Sequence, residues 1–152
     1  MSIQIPEYLI EGILPTGEVS IISGASGTGK TTWMLQTMLD WSRGEMVLGA
    51  KTHGQDTGKF YYLICDRSKR CTVKTLKRLG IAEDAFGWKV VAETHYSIAQ
   101  YIEMAPPDTR VLFIDGADVL VDRGNDNKTV ADFLKTADAV ANKRNMAVIL
   151  SC

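Results

Sequence analysis

The stretch GASGTGKTT, residues 24–32, contains the complete pattern G-x-x-x-x-G-K-[ST]. A polyphosphate carries several negative charges, and backbone N–H groups must turn inward to surround it, which glycines permit. The apolar run EVSIIS (18–23) precedes this stretch, and a helix-like segment at about 30–43 follows it. This order of strand, loop and helix predicts a phosphate-binding loop, whose residues are Gly24, Ala25, Ser26, Gly27, Thr28, Gly29, Lys30, Thr31 and Thr32.

Two side chains of this loop have expected roles of their own. Lys30 supplies a full positive charge for the β- and γ-phosphates, and Thr31 supplies a hydroxyl ligand for Mg²⁺. A helix that begins at Lys30 adds the partial positive charge of its N-terminus. The stretch therefore predicts a site for a nucleotide with Mg²⁺.

The rest of the chain alternates between strand-like and helix-like segments, which is typical of a parallel α/β sheet. The apolar runs are nearly continuous, as in strands that are covered on both faces. The predicted strands are EVSIIS (18–23), FYYLIC (60–65), WKVVAE (88–93), RVLFID (110–115) and MAVILS (146–151). The predicted helices cover about 30–43, 69–79, 97–104 and 128–144. No linker divides the chain, so residues 1–152 are expected to form a single domain with one sheet of about five strands.

Two aspartates end predicted strands and are candidates for the chemistry. Asp115 ends VLFID and is interpreted as the Walker B acid that holds Mg²⁺, and Asp66 follows FYYLIC at the same edge of the sheet. Asp66 could orient or deprotonate an attacking water. It could equally form a salt bridge with Arg67 or cap the helix at 69–79. Asp118 is a weaker candidate for the same work.

Composition and two motif tests narrow the class of protein. The formal net charge of −1 gives no bulk electrostatic argument for nucleic acid or an anionic membrane, and no apolar run reaches the roughly 20 residues of a membrane span. Three cysteines without a C-x-x-C pair are typical of a reducing cytoplasm. GTPases carry N-K-x-D where this chain has NKRN (142–145), and AAA+ ATPases commonly carry a glutamate where it has Gly116. Neither subclass fits well.

Several segments together resemble the RecA-like P-loop ATPases, in particular the RepA-type branch related to hexameric replicative helicases and to KaiC. IPEYLIEGILPTGEVSIISGASGTGKTTWMLQ is similar to the entry of that branch, and LGAKTHGQDTGKFYYLICDRS to the connection to its second strand. VLFIDGADVLVDRGNDNKTVADFL is similar to its Walker B strand and the helix after it. The resemblance implies a three-layer α/β fold, in which the strand MAVILS lies between the two Walker strands.

The chain departs from this branch at two places. Asp66 stands where the branch has its catalytic glutamate and is one methylene shorter, and positioning errors near 1 Å can cost about a hundredfold in rate. Relatives also continue beyond the strand MAVILS, so we expect this chain to be the N-terminal part of a longer ATPase core. In that case the strand at 18–23 is an edge of the sheet, with residues 1–12 as candidates to cover it.

The resemblance implies an ATPase that uses ATP and Mg²⁺ in DNA replication or recombination, within a homo-oligomeric, hexameric ring. The catalytic residues would be Lys30, Asp66 and Asp115. One alternative is a nucleotide-gated binding or assembly module with little or no hydrolysis, and a less favoured one is a small-molecule kinase. The basic segment DRSKRCTVKTLKR (66–78) could contact DNA or an acidic neighbour in a ring, but a solvated helix face is the commonest explanation of such a segment.

Overall fold

The computed structural model describes residues 8–24, 29–53, 59–91, 97–116 and 127–151. The strands are β1 (Tyr8–Ile10), β2 (Leu14–Pro15), β3 (Val19–Ile22), β4 (Phe60–Ile64), β5 (Gly87–Val90), β6 (Val111–Asp115) and β7 (Ala147–Ser151). The helices are α1 (Lys30–Ser42), α2 (Lys69–Arg78), α3 (Ile98–Glu103) and α4 (Asn127–Arg144). Each of the five strands and four helices that the sequence predicts is present, with ends that differ by a few residues.

The main sheet has five strands in the order β3-β7-β6-β4-β5, and all four neighbouring pairs are parallel. Strand β7 lies between β3 and β6, as the resemblance implies. In parallel α/β sheets, ligands bind at the carboxyl ends of the strands. Because β3, β4 and β6 are parallel, the loops that follow them begin at the same edge of the sheet.

Helices cover both faces of this sheet. Alternate residues of β6 point to opposite sides: Val111 and Phe113 pack in one core cluster, while Leu112 and Ile114 pack in the other. The first cluster includes residues from α1 and α2, and the second includes residues from α3 and α4. This arrangement confirms the three-layer α/β fold and explains the nearly continuous apolar runs of the central strands.

The helices begin at identifiable signals. The Ser68 hydroxyl accepts from the backbone N–H of Cys71 at the start of α2, and Ser97 forms a capping box with Gln100 at the start of α3. By contrast, α1 has no side-chain cap and follows Gly29, which has a φ of 87°. The uncapped N-terminus of α1 leaves backbone N–H groups for a ligand.

The edge of the sheet at β3 differs from one expectation. Among the described residues, β3 pairs only with β7, so it is an edge strand of this sheet, as predicted. Residues 8–12 do not cover it, because β1 pairs with β2 and this segment bonds to residues 51–53 through Glu11 N–H to Lys51 O (3.0 Å) and His53 N–H to Leu9 O (2.8 Å). Residues 1–7, the rest of the expected cover, lie outside the described residues. Leu9 and Ile10 are buried in the cluster that contains Trp41, and burying these side chains there holds β1 away from the edge strand.

Candidate functional site

The loop after β3 leads directly into the first turn of α1. Gly29 adopts the left-handed conformation that glycine tolerates best, and its carbonyl accepts the first helical bond from Trp33 at 2.9 Å. Gly24 and Gly29 are described, whereas Ala25, Ser26, Gly27 and Thr28 lie outside the described residues. The two described ends of the loop thus frame the N-terminus of α1, which is where an anion is favoured.

Lys30 links these two ends of the loop. Its Nζ donates to the Gly24 carbonyl at 2.6 Å, and its side chain is half-buried. An open groove of about 560 Å³ borders the lysine, with lining residues Ile21, Ile22, Ser23, Gly29, Lys30, Trp33 and Leu48. A groove of this volume is in the usual range for small-molecule sites.

Asp115 is the buried carboxylate of the site, with only 2% of its surface exposed. Asp115 lies two residues after Phe113 in β6. Because side chains alternate along a strand, both residues lie on the face of the sheet that α1 covers. Three hydroxyls donate to Asp115: Thr31 to Oδ2 at 2.6 Å, Tyr62 to Oδ2 at 2.7 Å and Ser151 to Oδ1 at 2.8 Å. Within the described part of the chain it forms no ion pair, so hydrogen bonds stabilise its charge.

Tyr62 and Ser151 are site residues that sequence reasoning missed. Burial, and then the charge of Asp115, raise the pKa of Tyr62 well above its usual value, so the phenol keeps its proton and remains a donor. Ser151 also accepts from the N–H of Gly116 at 3.0 Å. The available signal was hydroxyl side chains within apolar strands, Tyr61 and Tyr62 in β4 and Ser151 in β7, but only the fold assigns Tyr62 and Ser151 to Asp115.

Asp66 packs against the residue that follows Asp115. A Cβ added at Gly116 would lie 2.5 Å from Cβ of Asp66 and 2.6 Å from its Cγ, so the aspartate occupies space that only glycine leaves open. The carboxylate is about one-third exposed and pairs with Arg67, whose Nε lies 3.4 Å from Oδ1. The salt bridge weighed from the sequence is therefore present, while the cap of α2 is Ser68 and not Asp66. Asp118, the weaker candidate, lies outside the described residues.

Two arginines also reach the first turn of α1. Arg67 Nη2 donates to Thr31 Oγ1 at 2.9 Å, and Arg78 Nη2 donates to Thr32 Oγ1 at 3.3 Å. Both come from the segment around α2, whose other exposed cations form no ion pair in the ranges that the structure covers. Together with Lys30, these side chains make the site positive, which suits a polyanion.

The oxygen atoms at Thr31 and Asp115 fit a magnesium ion. Mg²⁺ prefers hard oxygen ligands and binds through one or two protein groups, with waters and substrate phosphates completing its shell. A hydroxyl and a carboxylate in contact, beside a phosphate-type loop, provide such a partial set. No cluster of three or more His, Cys, Asp or Glu suited to a metal occurs among the described residues.

Comparison with known proteins identifies the family. A family model described as an AAA domain matches residues 2–152. The chain belongs to this AAA-domain family. It has the RecA-like fold of P-loop ATPases, and the family match covers the phosphate-type loop, Asp66 and Asp115 alike.

The fold of this AAA-domain protein is similar to that of a solved structure. The crystal structure of KaiC-like protein PH0186, from the hyperthermophilic archaeon Pyrococcus horikoshii OT3, superposes with a TM-score of 0.64 at 17% sequence identity. The match covers 94% of this chain and 66% of the other, so the chain spans about two-thirds of that protein. No curated protein matches the sequence. Within the described ranges, no helix combines the length and apolar character needed to cross a membrane.

This AAA-domain protein differs from the common AAA+ ATPase pattern at the position after the Walker B aspartate. Gly116 stands directly after Asp115, where AAA+ ATPases commonly have a glutamate. The structure brings a carboxylate to this place from the neighbouring strand instead, because Asp66 packs on Gly116. Asp66, two residues after β4, and Asp115, the last residue of β6, therefore both lie at the carboxyl edge of the sheet.

Proposed function

We propose that this chain binds Mg-ATP and hydrolyses it to ADP and phosphate. The observation that carries the proposal is the 2.6 Å hydrogen bond between Thr31 and Asp115, which joins the phosphate-type loop to the end of β6. A hydroxyl at the loop helix and a carboxylate on another strand are the two protein groups that P-loop ATPases use for Mg²⁺.

Each residue has a defined part in this function. The loop backbone from Gly24 to Thr32, with Lys30, holds the β- and γ-phosphates, while Thr31 and Asp115 hold Mg²⁺. When bound, Mg²⁺ neutralises charge that develops on the phosphate oxygens. Tyr62 and Ser151 keep the carboxylate of Asp115 turned toward Thr31.

Asp66 is the proposed general base. In the reaction, a water oxygen attacks the terminal phosphorus, the bond from that phosphorus to the bridging oxygen breaks, and ADP leaves. The proton of the water passes to the Asp66 carboxylate, which lies at the same edge of the sheet as Asp115. The packing of Asp66 against Gly116 fixes its backbone beside the metal end of the site.

A second function is favoured by the state of Asp66. Its carboxylate pairs with Arg67 and is one methylene shorter than a glutamate, which leaves more distance to a water at the terminal phosphate. In this alternative, the chain binds ATP as a switch for assembly or partner choice and hydrolyses it slowly or not at all. Measuring binding and phosphate release separately distinguishes the two functions.

The biological context is proposed from the sequence resemblance. It is work on DNA in replication or recombination, in the cytoplasm, by a homo-oligomer, with this chain as the N-terminal part of a longer ATPase core. The exposed basic side chains of α2 support a polyanionic partner. The longer chain of the KaiC-like structure supports the view of a larger core.

The test of the metal site is ATP affinity with and without Mg²⁺, in wild type and in Asp115→Asn. We expect Mg²⁺ to raise the affinity of wild type for ATP. In Asp115→Asn most of this increase should be lost, because an amide is a poor ligand for Mg²⁺. Asp132→Asn, an exposed change on α4, is the control and should behave as wild type. Equal Mg²⁺ dependence in wild type and a folded Asp115→Asn would reject the proposed site.

A further inference from the structure

Arg67 is a cation in contact with the hydroxyl that we assign to the metal. Its Nη2 donates to Thr31 Oγ1 at 2.9 Å, while the same oxygen donates its own proton to Asp115 at 2.6 Å. A threonine hydroxyl has one proton to donate and two lone pairs that accept. One lone pair of Thr31 is therefore already used by a positive charge.

The position of Arg67 is defined on two sides. Its Nε lies 3.4 Å from Oδ1 of Asp66, so the guanidinium bridges the Asp66 carboxylate and the Thr31 hydroxyl, and its side chain is about one-third exposed. The guanidinium thus offsets part of the negative charge of Asp66 and Asp115 where a metal would otherwise do so.

Two cations cannot share Thr31 without strong repulsion. Magnesium–oxygen distances are about 2.1 Å, so a metal on Thr31 would bring the two positive charges to within about 5 Å of each other. At this separation in a partly buried site, repulsion between like charges is substantial. The guanidinium must therefore leave Thr31 when the metal binds, and its flexible side chain allows this because the group is partly exposed.

We propose that Arg67 is a built-in counter-ion that occupies the metal's place on Thr31 in the metal-free state and is displaced when Mg²⁺ enters with the nucleotide. In the metal-free state, Arg67 keeps Thr31 and Asp115 aligned and supplies a positive charge that attracts ATP. It also competes with Mg²⁺ and so reduces the gain in affinity that Mg²⁺ brings. This inference rests on the proposed nucleotide site and adds a residue that sets its metal dependence.

The test is equilibrium binding of ATP in excess EDTA and in excess Mg²⁺, by calorimetry, in wild type and Arg67→Gln. We expect the variant to bind ATP more weakly in EDTA and at least as tightly in Mg²⁺, so that the ratio of the two dissociation constants rises about tenfold. The Mg²⁺ concentration that gives half-maximal binding should fall in the same variant. Binding is the readout, so the result is independent of turnover.

Two control variants separate this role from simpler ones. Arg78→Gln removes a cation that contacts Thr32 rather than Thr31, and should weaken binding similarly in both conditions. Lys74→Gln changes an exposed cation of α2 and should leave both constants unchanged. An equal loss in EDTA and Mg²⁺ for Arg67→Gln would overturn the inference and make Arg67 an ordinary phosphate ligand, and no change in either would make it a surface residue. If wild type binds no ATP in either condition, the proposed function itself fails.

Discussion

Thr31 and Asp115 are separated by 84 positions in the sequence, and the hydroxyl of the first donates to the carboxylate of the second at 2.6 Å. The contact exists because β6 and the loop before α1 end at the same edge of a parallel sheet, with Asp115 on the face that α1 covers. It unites the groups proposed to bind phosphate with the groups proposed to bind Mg²⁺.

Tyr62→Phe tests whether the hydrogen bond from the Tyr62 hydroxyl stabilises the Asp115 carboxylate. The change removes one of three hydroxyl donors to a buried carboxylate, and we expect a loss of about 1–2 kcal/mol in the free energy of unfolding at neutral pH. Urea unfolding of both proteins in a metal-free buffer measures the difference. An unchanged free energy would show that Tyr62 does not stabilise Asp115.

The same pair of proteins makes a prediction about pH. Burial, and then Asp115, raise the pKa of Tyr62 well above its usual value of 10. The folded state then holds a proton that the unfolded state releases, so this stabilisation is complete below about pH 10 and declines as the pH rises further toward the folded pKa. The stability gap between wild type and Tyr62→Phe should therefore narrow as the pH rises above about 10. A constant gap over this range would contradict the raised pKa.

Gly116→Ala tests the contact that positions Asp66. The new Cβ would overlap Asp66, at 2.5 Å from its Cβ, and would also occupy a backbone with a φ of +83°. Gly80→Ala is a matched control, since Gly80 has a φ of +72° but nothing within 4 Å of an added Cβ. Both variants should lose about 1–2 kcal/mol of stability through backbone strain, but only Gly116→Ala should lose phosphate release while ATP binding remains. Equal release in the two variants would contradict the role of this contact.

Asp66 is tested by two substitutions that differ in charge and length. We expect Asp66→Asn to keep ATP affinity and to lower phosphate release about a hundredfold or more, as loss of a general base does. Asp66→Glu restores the missing methylene and should raise release above wild type if distance limits the reaction. Asp84→Asn, in the exposed turn before β5, is the control. Equal release in wild type and Asp66→Asn would leave Asp66 as the structural partner of Arg67.

The sequence predicts much of this fold because its signals are local. Continuous apolar runs such as VLFID specify strands covered on both faces. The helix caps Ser68 and Ser97 are found only in the structure, since the sequence indicates Asp66 as a candidate cap of α2. The hairpin of β1 and β2 was not anticipated, since strands of three and two residues carry little periodicity.

The same distinction between local signals and long-range contacts applies to the residues of the candidate site. The phosphate-type loop is continuous in the chain, so the motif alone indicates it, and strand ends indicate Asp66 and Asp115. The contacts of Tyr62, Ser151 and Arg67 depend on which strands are neighbours and on their register, and they join positions 53, 36 and 36 residues apart. No local pattern contains that information, so these residues are found only in the folded protein.

The most direct test of the account is Mg-ATP binding and phosphate release measured on the same preparation of wild type and Lys30→Ala. Lys143→Ala is the control, because it removes an exposed charge in the last turn of α4. We expect wild type and Lys143→Ala to bind and release phosphate alike, and Lys30→Ala to bind about a hundredfold more weakly because a charged contact to phosphate is lost. Equal ATP affinity in wild type and Lys30→Ala would contradict the phosphate-binding role of residues 24–32, and with it the proposed function.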